Sequence, residues 1–209
     1  ESHSSNLIFL SITAGIGTGI IIQNQLYKGS NKKAGEFGHM HISMDKVKCS
    51  CGRYGCWEVF ASEKALQNAY KKASGQKASI EEIMEKVEKG ELIAKDVVDE
   101  YIQYLIIGIE NIILSLSPQH IVIGGKISQY DAIIMPLIKE RLGQQETIYE
   151  ISQTNIVCSK LGSNAPILGA ALLPIHDLFY YLVRSVNTLR VHFFHFLCFL
   201  HDLFSIFLL

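Results

Sequence analysis

A histidine and three cysteines at metal-ligand spacing constrain the fold of this chain more than any other feature. His39 is followed by Cys49, Cys51 and Cys56, and two glycines lie between the last two cysteines. Thiolates and imidazole are ligands that Zn²⁺ prefers, and a set of four closes a tetrahedral structural site. The glycines let the backbone turn tightly enough for Cys51 and Cys56 to meet on one ion. The motif therefore predicts a loop folded around structural zinc.

The fourth ligand is open between two histidines. His39 is the first choice and His41 is the alternative, because one sequence does not fix which imidazole reaches the metal. A disulfide with a remaining free thiol is the competing interpretation of the cysteines. It is disfavoured because the chain has five cysteines, an odd number, and has the features of a cytosolic protein.

Two glutamates flank the same motif. Glu36 precedes His39, and Glu58 follows Cys56. If one imidazole and three thiolates complete the coordination of the metal, neither carboxylate is needed as a ligand. An ionised carboxylate only accepts hydrogen bonds, so both become candidates for binding the donor groups of a polar ligand beside the metal.

Length and charge limit the class of function. A chain of 209 residues can bury a sizeable core, either as one large domain or as one lobe of a larger protein. A net charge of −1 and a pI near 6.8 indicate no basic surface for nucleic acid, so the chain alone is expected to bind DNA poorly. The polar N-terminus carries no secretory signal, which predicts a cytoplasmic protein. The missing initiator methionine suggests a fragment.

Hydrophobic periodicity predicts an α/β domain over residues 1–180. Strands are predicted at residues 6–12, 19–22, 25–27, 120–124 and 155–158, and residues 35–39 are expected as a strand that enters the metal loop. Helices are predicted at 62–74, 79–89, 91–116, 131–142 and 167–173. The second of these begins with a capping box, and the last is expected to pack closely through its small residues.

Two glycine-rich turns follow predicted strands. Residues 13–19 read Thr-Ala-Gly-Ile-Gly-Thr-Gly, and residues 124 and 125 are paired glycines. Backbone this bare can approach a phosphate closely, but it also forms tight structural hairpins. The paired glycines follow an apolar run, which is typical of a buried parallel strand that ends at a ligand-facing loop.

Residues 181–209 form an atypical apolar tail. From residue 191 onward it is mostly Phe and Leu, interrupted by His192, His195, His201 and Asp202. Placing the aspartate alone in lipid would cost a few kcal/mol, so no membrane association is expected. A buried or oligomer-forming helix and a tail foreign to the domain both remain open.

These residues together resemble the ROK family of bacterial sugar repressors and sugar kinases. The resemblance rests on Gly-Glu-Phe-Gly-His at 35–39 and Cys-x-Cys-Gly-x-x-Gly-Cys-x-Glu at 49–58. The glycine turn at 13–19, the run at 121–125 and the Gly-Ala-Ala-Leu-Leu run at 169–173 support it. It covers about residues 6–180 and corresponds to the C-terminal part of a family member. It implies one lobe of the actin-like ATPase (ribonuclease H-like) fold with an inserted zinc-binding loop.

The resemblance also implies roles for the motif residues. His39, Cys49, Cys51 and Cys56 would hold a structural zinc that shapes the loop on the sugar side. Glu36 and Glu58 fall on positions that hydrogen-bond sugar hydroxyls in related proteins. His39 would touch the sugar through the ring nitrogen that is not on zinc. The ligand implied is a monosaccharide, bound as an effector or as a substrate.

Kinases of the family also need ATP and Mg²⁺, a phosphate loop near the N-terminus and a catalytic aspartate, and the last two would lie upstream of residue 1. In the kinase alternative, nucleotide contacts are implied for Thr13, Gly15, Gly17, Thr18, Gly124 and Gly125. Family kinases usually read Gly-Thr-Gly-x-Gly at the first turn. Here Ala14 replaces the threonine whose hydroxyl would face the phosphates, and such a lost hydrogen bond costs about 1.5–3 kcal/mol.

The residues at 56–58, 61–66 and 164–169 resemble the repressors of the family more than its kinases, especially the xylose-repressor type. These repressors bind DNA through an N-terminal winged helix-turn-helix. The leading hypothesis is the sugar-sensing C-terminal portion of such a repressor, without its DNA-binding part. The alternatives are the C-terminal portion of an ATP-dependent sugar kinase without its catalytic aspartate, and an inactive truncated product. The family also implies a homo-oligomer, for which the helix at 91–116 is a candidate contact.

Overall fold

The computed structural model describes residues 5–143, 153–161, 164, 167–172 and 174–175. The predicted apolar tail at 181–209 lies outside these residues. Strands and helices alternate as predicted for an α/β domain. In chain order they are β1 (Leu7–Ile12), β2 (Ile16–Ile22), β3 (Gln25–Leu26), α1 (Glu58–Ala61), α2 (Glu63–Ser74), α3 (Ile80–Glu88), α4 (Leu92–Leu116), β4 (His120–Gly124), α5 (Asp131–Gly143) and β5 (Asn155–Cys158).

The strands form a mixed sheet in the order β3-β2-β1-β4-β5. β1 lies at its centre, antiparallel to β2 and parallel to β4, which in turn runs parallel to β5. The register pairs Ser11 near the end of β1 with Gly124 at the end of β4. The carboxyl ends of these two strands therefore meet at one edge, where ligands bind in open α/β sheets.

The hairpin between β2 and β3 turns at Gln23 and Asn24, the two residues between the strands predicted at 19–22 and 25–27. Gln23 and Asn24 have φ angles of 51° and 61°, the left-handed conformation that a two-residue hairpin turn requires. The preceding glycine turn is shorter than predicted, because β2 already begins at Ile16. Gly17 and Gly19 lie in the strand opposite Ser11 and Phe9, since pairing with β1 outweighs the weak strand propensity of glycine.

α4 is the central helix of the core. It buries eleven of its residues, and its exposed residues include Lys95, Glu100 and Gln103, which is typical of a helix that packs on the core and keeps one side in solvent. The inward face of β1, with Ile8, Leu10 and Ile12, belongs to the same buried cluster. The long core helix predicted at 91–116 is thus confirmed, and it provides a rigid support for the metal loop.

Two helix starts also agree with the sequence. Ser62 caps α2 by accepting the N–H of Ala65 at 3.1 Å. Ser79 and Glu82 form the predicted capping box of α3, with bonds of 3.2 Å and 2.7 Å. Each such cap satisfies backbone donors that the helix itself leaves unpaired.

The second face of the sheet borders a largely apolar cavity of about 330 Å³ that Phe9, Ile21, Val122 and Leu168 help to line. Residues 167–172 are helical, as predicted. Their predicted close packing is wrong for the described residues, because Ile167 is 70% exposed and Gly169 faces open space. Among the described residues, no helix combines the length and apolarity needed to cross a membrane.

Candidate metal centre

Four side chains from the predicted motif converge at one point, which we call the metal centre: His39, Cys49, Cys51 and Cys56. One ligand atom of each lies within 4.8 Å of all the others. The Sγ of Cys49 is 3.5 Å from Nδ1 of His39, and the Sγ atoms of Cys51 and Cys56 are 3.7 Å apart. Tetrahedral zinc with its usual bond lengths places neighbouring ligand atoms about 3.5–3.8 Å apart. The donor set therefore fits the ion that the sequence implied.

The loop from Cys49 to Cys56 is built by two tight turns. Gly52 and Gly55 have φ angles of 91° and 70°, which only glycine adopts without strain. The N–H of Cys49 donates to Arg53 O at 2.8 Å, so the chain folds back before the third cysteine. A β-carbon on Gly55 would lie 2.0 Å from the carbonyl oxygen of Ser43. The loop thus requires both glycines at these positions.

His39, and not His41, points its ring into the metal centre. The ring of His41 lies beside Gly55, and its backbone pairs with Cys56. The strand predicted for residues 35–39 is wrong, because Phe37–His39 form a 3-10 helix. A β-carbon on Gly38 would lie 2.2 Å from the carbonyl oxygen of Ile16. The short helix therefore packs directly on the backbone of β2, and this contact aims His39 at the thiols.

Glu58 is anchored by its neighbour in sequence. The ring of Trp57 is fully buried, and its Nε1 donates to Tyr104 O of α4 at 2.9 Å. A β-carbon at Gly108 would lie 1.9 Å from this ring, so α4 needs a glycine there. Glu58 begins α1 immediately afterwards, so the support of α4 fixes where its carboxylate lies.

The two predicted sugar-binding carboxylates lie on either side of His39. Oε1 of Glu58 is 3.7 Å from Nδ1, on the metal side of the ring, and Oε2 of Glu36 is 3.8 Å from Nε2. The Glu58 side chain is 16% exposed and the Glu36 side chain 69%. Glu58 also accepts hydrogen bonds from Cys49 Sγ at 2.9 Å and Ser50 Oγ at 3.2 Å. One imidazole thus brings both acceptors next to the metal centre.

Arg53 is a residue of this site that the motif did not predict. It donates from its guanidinium to His39 O at 3.0 Å. Hydrogen bonds from its backbone N–H and then its guanidinium lower the pKa of Cys51 to about 6. Burial, followed by the hydrogen bond to Glu58, raises the pKa of Cys49 to about 12. A cation between two cysteines of a metal loop is the sequence signal that could have identified Arg53, because it offsets the charge of the thiolates.

The first set of predicted nucleotide contacts divides between the turn at 13–15 and β2, where Gly17 and Thr18 help to line the cavity on the second face of the sheet. Thr13 and Gly15 close a tight turn, with Thr13 N donating to Gly15 O at 2.9 Å. A β-carbon on Gly15 would lie 2.7 Å from Oε2 of Glu58, so this glycine faces the carboxylate. Gly17 lies in β2. The hydroxyl of Thr18 is buried and has no hydrogen-bond partner among the described residues.

The second set, Gly124 and Gly125, is buried at the end of β4. Gly125 has a φ of 103°, and a β-carbon there would lie 1.7 Å from the carbonyl oxygen of Ile12. Glu63, which the sequence did not single out, contacts this turn by accepting the N–H of Lys126 at 2.6 Å. We call the turns at 13–15 and 124–126 together the glycine edge.

Similarity to known proteins agrees with this geometry. Residues 1–176 match the sequence model of the ROK family. The chain is 34% identical over 173 residues to a xylose repressor of Bacillus spizizenii, covering 83% of this chain and 45% of the repressor. This chain therefore spans about half the length of the curated relatives it matches.

Solved structures show the same fold. A ROK family glucokinase from Streptomyces griseus, in complex with glucose and AMPPNP, superimposes with a TM-score of 0.75 at 26% identity, over 82% of this chain and 61% of that one. A ROK family transcriptional regulator, a homologue of the E. coli MLC protein, gives a TM-score of 0.64 at 30% identity, over 74% and 41%. A kinase and a transcriptional regulator of the ROK family therefore both share this architecture.

Proposed function

Because the chain belongs to the ROK family, we propose that it is the sugar-sensing, zinc-containing portion of a ROK transcriptional repressor. The observation that carries the proposal is the position of His39 between Glu36 and Glu58, directly beside the metal centre. A monosaccharide effector is the proposed ligand. DNA is contacted through a part of the repressor outside this chain, and the whole protein is a homo-oligomer.

Zinc in the proposed site has a structural role. His39, Cys49, Cys51 and Cys56 would hold the ion, which supplies a fixed point for the loop without Lewis-acid chemistry. His39 then contributes Nδ1 to the metal side and leaves Nε2 facing Glu36. The side chain of His39 would thus both bind the metal and orient the sugar site.

The carboxylates give the site its preference for hydroxyl donors. Glu58 is held by Ser50 and by its position at the start of α1, so its acceptors are pre-oriented. Glu36 is more exposed and closes the opposite side of the imidazole. Vicinal sugar hydroxyls can donate to such ionised acceptors in charge-assisted bonds, which are stronger than neutral ones.

The similarity to the Bacillus spizizenii xylose repressor and the alanine at position 14 favour a repressor over an enzyme. The second candidate is a portion of an ATP-dependent sugar kinase, supported by the TM-score of 0.75 with the glucokinase. That alternative would require ATP and Mg²⁺ as well as a catalytic aspartate supplied from outside this chain.

The test is to measure sugar binding and sugar phosphorylation separately. Calorimetry with a panel of monosaccharides is expected to give saturable binding of at least one, with one zinc per chain by metal analysis. Glu58→Gln should lose most of the sugar affinity while it keeps the zinc. ATP-dependent phosphorylation of the bound sugar by the whole protein would establish the kinase instead, and absence of binding to any sugar would refute both functions.

A further inference from the structure

Glu63 connects the two turns of the glycine edge. Its backbone N–H donates to Thr13 O at 2.9 Å, and its Oε1 accepts the N–H of Lys126 at 2.6 Å. Thr13 follows β1 and Lys126 follows β4, so one residue bridges the carboxyl ends of two adjacent parallel strands. This is the position where open α/β sheets bind ligands.

A phosphate at this edge would need free backbone donors and space. The carboxylate of Glu63 already takes the N–H of Lys126, and the backbone N–H groups of Lys126 and Ile127 oppose the rise in the pKa of Glu63 that its burial causes. Gly125 packs on the carbonyl oxygen of Ile12, with no room even for a β-carbon. A backbone donor of the kind that a bound phosphate requires is therefore already taken by the protein itself.

The charges at the edge also disfavour an anion. Lys126 is the cation nearest to the paired glycines in sequence, and its Nζ is paired with Oε1 of Glu81 at 2.9 Å. An incoming phosphate would meet the carboxylates of Glu63 and Glu81. The positive charge of Lys126 would attract it little, because Glu81 already neutralises that charge. Like charges at such short range cost binding energy that the remaining backbone contacts would have to supply.

The first glycine turn offers no compensation. Ala14 has no hydroxyl, Gly15 faces the carboxylate of Glu58, and the hydroxyl of Thr18 is buried. A β-carbon on Gly35 would lie 2.4 Å from the carbonyl oxygen of Thr18, so the loop before the metal centre covers this part of β2. Ala14, Gly15 and Thr18 therefore offer no accessible hydroxyl to a phosphate at this turn, although Gly17 and Thr18 line the cavity on the second face of the sheet.

We propose that Glu63 closes the glycine edge to nucleotides by placing its own carboxylate on the backbone donors that a phosphate would use. The inference rests on the proposed function as a sugar sensor and deepens it. The chain retains a sugar site at the metal centre but has an internal anion in place of the nucleotide phosphates. It therefore responds to a sugar regardless of the ATP concentration.

The experiment is an NMR titration of this chain with Mg²⁺ and AMPPNP, following the amide signals of Lys126 and Ile127. The wild-type chain is expected to show no saturable shift, which corresponds to a dissociation constant weaker than about 1 mM. Glu63→Ala should free both donors and give saturable shifts at the two amides, with affinity at least about 10-fold stronger. Glu63→Gln, which keeps the shape of the side chain, should give an intermediate gain.

Glu81→Gln is the matched control. It removes the neighbouring carboxylate, which bonds the Lys126 side chain but not its backbone N–H, and it should gain less nucleotide affinity than Glu63→Ala because Glu63 still holds the backbone donor. Saturable shifts in the wild type, or no gain in folded Glu63→Ala and Glu63→Gln, would overturn the proposal. Sugar affinity, measured on the same samples, is expected to stay unchanged. If the Glu63 variants gain no nucleotide binding but still bind sugar, the result counts against the role of Glu63 alone and leaves the proposed function standing.

Discussion

The metal centre and the glycine edge lie close together, yet the protein treats their polar groups in opposite ways. At the metal centre, ring nitrogens, thiols and carboxylates converge, and Glu36 remains largely exposed. At the glycine edge, the backbone donor of Lys126 is satisfied internally by Glu63. Glycine-rich sequence alone therefore does not make a phosphate site, because the backbone donors must also remain free.

The largest expected effect is loss of the metal. Cys49→Ser or Cys51→Ser should release the zinc and unfold the loop, because a structural site of four ligands depends on each of them. The zinc content of the purified protein, measured by metal analysis, should fall from one ion per chain to nearly none. Cys158→Ala is the control, since Cys158 lies in β5 outside the metal centre and should keep the metal. Zinc retained in both serine variants would show that the cluster is not the binding site.

The next effect tests the closed character of the glycine edge. Gly125→Ala should destabilise the fold by about 3 kcal/mol or more, because the new β-carbon meets the carbonyl oxygen of Ile12 at a φ of 103°. Gly75→Ala is a matched comparison, with a φ of 75° but no neighbouring atoms. It should cost only about 1 kcal/mol. Urea unfolding measures the free energy of unfolding of both variants. Equal losses of stability would mean that the glycine edge is loosely packed around Gly125.

The two carboxylates at the metal centre should differ in their effect on sugar affinity. Glu58→Gln is expected to weaken binding by at least about 10-fold, because Glu58 is pre-oriented and only 16% exposed. Glu36→Gln should weaken it less, since its side chain is 69% exposed and pays more ordering entropy on binding. Calorimetry on both variants gives the ratio of their two losses of sugar affinity. The reverse order would place the sugar on the outer side of His39.

The smallest effect is a baseline outside the metal centre. Ser79→Ala removes the capping box of α3 and should lower the free energy of unfolding by about 1 kcal/mol. Zinc content and sugar affinity should not change. A change in either of these would show that general destabilisation, and not local chemistry, explains the variants above.

The sequence predicted the regular elements well because their signals are local. The apolar period of α4, the capping box at Ser79 and the two-residue turn at Gln23–Asn24 are each written within a few residues. The metal motif could be recognised in the sequence for the same reason, since the type and spacing of its donor residues define the site. The sequence did not decide between His39 and His41, because the imidazole is oriented by the packing of Gly38 on β2, a contact between distant residues.

Contacts between distant residues account for what the sequence could not predict. Glu63 and Lys126 are 63 positions apart, and nothing local marks Glu63 as more than the first residue of a helix. Gly15 looked like part of a phosphate turn, but it leaves space for the carboxylate of Glu58. The strand expected at 35–39 failed because the glycines there serve tertiary packing against β2.

Trp57 gives the molecule a built-in spectroscopic reporter. It is the only tryptophan of the chain, and it lies fully buried between the last cysteine of the metal centre and Glu58. Its indole rests on Gly108 and bonds to the backbone of α4. Release of the loop would expose this ring to water and shift its emission to longer wavelength, so the fluorescence of the unlabelled protein follows the state of the metal centre in real time.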